Sequence, residues 1–262
     1  PLTVPATTPV GCEPLLTQKQ IDTMAENWLP IDREARLTGS MDVSPHGIIF
    51  DAFTPDMISS APVPAGGDYK FAVGIDHGHL PGTQIAVLVC IDMKDVQAPR
   101  VYVLGETVGG GNTPEHIAQS ILDMLQAHSI DPALCTWTGD QAHYATRDRR
   151  AKKMSNGVLM RAFERILGLA PKTLPFTIRT AIKHRHSVYF GASMIHAIQS
   201  RKHFYIRPEC EKTIKSIQRW TMKRSQSDRS RDPHQHCIDA CRYAILPVID
   251  YRFKPPAKIR IL

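Results

Sequence analysis

The chain is 262 residues long, 42% apolar and 22% charged, which is enough for one large domain with a core, or one domain plus an appended arm, and excludes a disordered chain. No apolar run reaches the roughly 20 residues of a membrane span, no charged-then-apolar leader opens the sequence, and six cysteines are too sparse for a disulfide framework. We therefore expect a non-secreted protein from a reducing cytosol. The 32 Lys and Arg exceed the 25 Asp and Glu, but residues 1–140 hold 6 basic against 17 acidic side chains whereas residues 141–231 hold 21 against 5. That asymmetry is the footprint of a polyanion-binding face, and nucleic acid is the expected partner.

In chain order, a Pro/Thr-rich start precedes a short helix at 18–27, a helical turn at 32–37 and a short strand at 48–50. The Pro/Gly stretch APVPAGGD (61–68) reads as a boundary, dividing an arm, 1–67, from a main domain, 68–262. In that domain, residues 70–75, 84–91 and 100–104 predict an antiparallel meander, the second run being apolar enough for a strand covered on both faces. Thr113, Pro114 and Glu115 open a helix with Ile117, Ile121, Met124 and Leu125 on one face. A fourth strand, 133–138, ends at Gly139–Asp140. Helices at 156–169, 187–202, 209–220 and 236–245 follow, with short strands at 176–178 and 204–206. The order predicts an α/β domain with a central mixed sheet flanked by helices.

Three carboxylates stand where this order brings them together: Asp76 ends the first main strand, Asp140 ends the fourth, and Asp239 lies inside the last helix. An Asp in an apolar helix that packs on a sheet needs a cation, since an unpaired buried charge costs several kcal/mol. Three such groups raise one another's pKa, and a divalent ion relieves the repulsion. Oxygen donors without thiolate suit Mg²⁺ or Mn²⁺.

The motifs FAVGIDHG, TGD and HCIDACRYAI, with REARLTG…HGIIFDAF upstream, resemble the nuclease domain of a tailed-phage terminase large subunit and the stretch that joins it to the ATPase half. The resemblance implies an RNase H-like fold, shared with retroviral integrases, and a metal-dependent DNA endonuclease that cuts concatemeric viral DNA. It implies two ions, about 3.5–4 Å apart, with Asp76 bridging both and Asp140 and Asp239 each completing one sphere. Asp232 is a candidate fourth carboxylate. The implied partners are double-stranded DNA, the portal protein, the small terminase subunit and the ATPase domain, in the host cytoplasm. No GxxxxGK[ST] loop occurs, so no ATPase activity is expected of this chain. A resolvase- or transposase-type nuclease of the same fold, and a non-catalytic DNA-docking module, are the alternatives.

The substrate would be held by Arg147, Arg149, Arg150, Lys152, Lys153, Lys183, Arg185, Lys223 and Arg224, through phosphates rather than bases. His77, His79 and His143 are candidate auxiliary groups near the carboxylates. A rival metal centre, zinc on His234, His236, Cys237 and Cys241, would draw four ligands from one short segment under strain, and the two cysteines read better as small core residues.

Overall fold

The computed structural model describes residues 17–25, 48–78, 82–110, 113–140, 154–181, 187–221 and 234–249. Six strands form one mixed sheet: β1 (Tyr69–Asp76), β2 (Gln84–Asp92), β3 (Arg100–Gly109), β4 (Cys135–Gly139), β5 (Ile178–Thr180) and β6 (Phe204–Ile206), in the order β5-β4-β1-β2-β3-β6. β1, β2 and β3 pair antiparallel as the expected meander, while β4 joins β1, β5 joins β4 and β6 joins β3 in parallel. The helices are α1 (Gln18–Ala25), α2 (Pro114–Ala127), α3 (Asn156–Ile166), α4 (Ser187–Ser200), α5 (Glu211–Arg219) and α6 (Gln235–Ile249).

Alternation along the strands sends side chains into two cores. Val73, Ile75, Ala86, Leu88 and Cys90 pack with Ile117, Ile121 and Leu125 of α2 and Leu159 and Phe163 of α3. Ala72, Ile85, Val87, Val89 and Ile91 pack on the opposite face with Ile195 of α4, Ile217 of α5 and Ile238, Ala240 and Ile245 of α6. Cover on both faces is why β2 reads as an unbroken apolar run. Trp137 of β4 anchors the first core, stacked on Phe176 at 4.3 Å and edge-on to Phe163 at 5.5 Å.

Two predicted strands differ. Ile48 makes only an isolated bridge to Thr221, and residues 49–52 form a turn, because Ile49 and Phe50 are drawn into the α4–α6 core, Phe50 stacking on Trp220 at 5.7 Å. The strand placed at 176–178 begins instead at Ile178, since Phe176 is taken up by the aromatic cluster. The helix predicted to reach 169 stops at Ile166, ahead of Gly168 at φ +64°. Upstream of residue 68, Met57 is also buried, Ser59 N–H donates to Ile206 O at 2.9 Å, and Asp51 pairs with His196 at 2.9 Å. Part of the arm therefore belongs to the packed body. The turn predicted at 32–37 lies outside the described residues.

Candidate active site

The parallel pairing of β1 with β4 fixes the first two carboxylates. Phe71 lies opposite Cys135 and Ile75 opposite Gly139, and Asp140 N–H donates to Ile75 O at 2.9 Å, so Asp76 and Asp140 end neighbouring strands on the same side. By alternation Asp76 shares a face with Ala72 and Gly74, the face that α6 covers. Gly74 permits this: a Cβ there would lie 1.9 Å from Ala240 O and 2.5 Å from Ala244 N, so the backbone of α6 rests directly on the strand. Immediately before that contact, α6 delivers Asp239. All three are buried, at 5, 6 and 8% exposure for Asp76, Asp140 and Asp239.

Their charges act on one another. Burial pushes the Asp76 carboxyl up to about 6; the hydrogen bond with His236 opposes this, and repulsion from Asp239 and from Asp140 adds to it. The Tyr243 hydroxyl is raised by burial and then by Asp239, Asp76 and Asp140, a second sign that the three sit together.

Two of the carboxylates also have local partners that the sequence did not advertise. His236 Nδ1 lies 2.6 Å from Asp76 Oδ2, which raises the imidazole pKa. Asp239 Oδ1 pairs with Nη1 of the buried Arg242, and Asp239 Oδ2 accepts from Gln235 Nε2 at 3.2 Å. Gln235 and Arg242 stand at i−4 and i+3 from Asp239, the spacing that gathers side chains on one helix face, and that spacing was the signal that could have found them; the pairing of His236 with Asp76, 160 residues away, carries no local signal. Lys212, at the start of α5, binds Gly82 O in the β1–β2 loop and lies within electrostatic reach of His236. Glu106 holds that helix start, accepting from the backbone of Lys212 and Thr213, at 2.8 Å each.

The donor set suits a hard divalent ion in kind: three carboxylates on one face, buried and mutually repelling. Among the described residues, no group of three or more His, Cys, Asp or Glu side chains is placed to hold a metal ion as the side chains stand. Asp76 is turned onto His236, and Asp239 onto Arg242 and Gln235, so ligation asks for side-chain rotation rather than a new fold. A zinc site on the α6 segment does not fit. Cys237 and Cys241 are buried in the core with thiol pKa values raised by burial, to about 11 for Cys237, and His236 is committed to Asp76.

His77 is buried against α3, away from α6, with Nε2 2.8 Å from Asn156 Oδ1; Asn156 Nδ2 in turn donates to Gly139 O at 3.1 Å. It thus ties the ends of β1 and β4 to α3. Asp232, His79, His143, Arg147, Arg149, Arg150, Lys152, Lys153, Lys183, Arg185, Lys223 and Arg224 lie outside the described residues.

No family model matches the sequence, and no curated protein matches it. Among solved structures the chain is similar to the large terminase of a thermophilic bacteriophage, at 14% identity and a TM-score of 0.59, over 90% of this chain and 52% of that one. The same terminase in complex with ADP gives 16% identity and 0.57, over 89% and 52%. The P22 large terminase nuclease domain is a more distant likeness, 14% identical with a TM-score of 0.46, over 78% of this chain and 97% of that one. The chain spans about half the length of the thermophilic-phage terminase, 52%. Its α/β architecture is therefore a fold shared with that large terminase over the part of it that this chain spans.

Proposed function

We propose that this domain is a divalent-metal-dependent DNA endonuclease of the phage-packaging type, cutting concatemeric viral DNA in the host cytoplasm. The observation that carries the reading is the convergence of Asp76, Asp140 and Asp239, from two parallel strand ends and one helix, on one buried and mutually repelling patch. These three would hold Mg²⁺ or Mn²⁺, and Asp232 is a further candidate ligand. Metal held there would supply the activation of a water for attack on the phosphodiester and charge neutralisation at the departing 3′-oxygen. The residues do the rest. Burial keeps bulk water from the carboxylates, and His236 holds a proton between its Nδ1 and Asp76 Oδ2.

The basic side chains Arg147, Arg149, Arg150, Lys152, Lys153, Lys183, Arg185, Lys223 and Arg224 would grip duplex phosphates on either side of the cut. Arg147, the first of these, follows Asp140 by seven residues in the sequence, which favours delivery of DNA to the carboxylates. The portal protein, the small terminase subunit and an ATPase domain are the proposed partners.

Supercoiled plasmid incubated with Mn²⁺, Mg²⁺ or EDTA tests the reading. Metal-dependent nicking that Asp76→Asn abolishes, with DNA binding retained, is the expected result. Binding without cleavage under either metal would leave only a docking module. A marked preference for four-way junctions over linear duplex would move the domain to the resolvases.

A further inference from the structure

The geometry points to Arg242 as the residue whose charge sets how tightly an ion is held at Asp239, an inference that rests on the metal-dependent reading above. Arg242 is 1% exposed, one of the largest fully buried side chains among the described residues. Its Nη1 pairs with Asp239 Oδ1, while Gln235 Nε2 donates to Oδ2 at 3.2 Å, so both oxygens of this carboxylate already carry a donor. The guanidinium is seated by a second helix: a Cβ on Gly191 of α4 would lie 2.5 Å from Arg242 Nε and 2.9 Å from its Cδ. Nε has no acceptor among the described residues, so the side chain is held by this seat, by Asp239 and by the Tyr243 ring, whose centroid lies 5.5 Å from Cζ.

An arginine does not give up its proton inside a protein, and its charge here is shielded by little water. It therefore does two opposed things. It keeps Asp239 ionised and aimed, and it repels any second cation that shares the carboxylate. Asp76 faces an imidazole instead of a guanidinium, His236 Nδ1 lying 2.6 Å from its Oδ2. The ion that Asp239 completes is thus the more weakly held, and the full complement of ions assembles only at the higher metal concentration that this repulsion sets. Fold stability alone does not call for a buried arginine, because apolar replacements of buried ion pairs are commonly neutral or stabilising.

The test is calorimetric titration of the full chain with MnCl₂, comparing wild type with Arg242→Gln and Arg242→Lys. The weaker binding event tightens by about tenfold or more in Arg242→Gln and stays near wild type in Arg242→Lys, because charge rather than shape is the determinant. Equal or weaker binding in Arg242→Gln than in Arg242→Lys would overturn the inference while leaving the metal site standing. Wild type that takes up no Mn²⁺ would overturn both. Should Arg242→Gln fail to fold by circular dichroism, Gly191→Ala, whose methyl displaces the guanidinium, must tighten the same event; unchanged or weaker binding there sinks the proposal.

Discussion

Asp76 holds a proton up to about pH 6 because burial removes the water that would stabilise its charge and two further carboxylates repel it. His236 is raised as well, chiefly by its hydrogen bond with Asp76, and the two titrate as a pair. The signs agree. An acid whose folded pKa exceeds its unfolded value binds more protons when folded, so stability falls as pH rises from about 4 through about 6. The raised histidine contributes stability that is fully present below about 6.5 and fades as pH rises through its folded value. In EDTA the melting temperature should accordingly be higher at about pH 5 than at about pH 7.5. Mn²⁺ affinity should move the other way, weakening as pH drops through about 6, since ligation needs the deprotonated carboxylate. Melting curves and titrations at both pH values check the pair of trends, and a Mn²⁺ affinity indifferent to pH would contradict the role given to Asp76.

Among the elements, α6 carries Asp239, His236 and Arg242 of the proposed site, and its seat is a backbone contact. Gly74→Ala places a methyl 1.9 Å from Ala240 O and 2.5 Å from Ala244 N, two main-chain atoms that cannot swing aside. The helix must shift from β1 and take Asp239 with it. We expect a loss at or above the upper end of the roughly 1–3 kcal/mol typical of overpacking, together with loss of the proposed nuclease activity, read by chemical denaturation and plasmid cleavage.

Most elements were legible in the sequence because each carried its own period or cap. The apolar run at 84–91 announced a strand covered on both faces, and Thr113 with Pro114 marked a helix start that the structure confirms, the Thr113 hydroxyl accepting from His116 N–H at 3.2 Å. What was not legible depended on long-range packing. Nothing local says that Phe50 will leave a strand to stack on Trp220, or that Gly191 makes room for Arg242. The three aspartates were legible as strand-end and in-helix acids, and their meeting depends on the β1–β4 pairing and on α6 lying across it. His236 was weighed as a zinc ligand, whereas its geometry ties it to Asp76, a relation visible only once α6 lies on β1.

At the scale of the molecule, a buried acidic patch stands within a chain whose residues 141–231 are strongly basic. That division suits a duplex drawn in by its phosphates toward carboxylates that only cations make tolerable to it. No helix among the described residues is long and apolar enough to cross a membrane. DNA affinity should fall linearly on a log–log plot against salt, and Arg149→Ala with Arg150→Ala should reduce the slope by about 2; fluorescence anisotropy across a salt series measures it.

The proposed function turns on Asp76, Asp140 and Asp239 together binding divalent metal. Anomalous diffraction at the manganese edge, from crystals grown in MnCl₂, addresses it most directly. The account predicts anomalous density between the ends of β1 and β4 and Asp239 of α6, lost in Asp76→Asn. Density at the His234–Cys241 segment instead, or none at the carboxylates under saturating Mn²⁺, would contradict it.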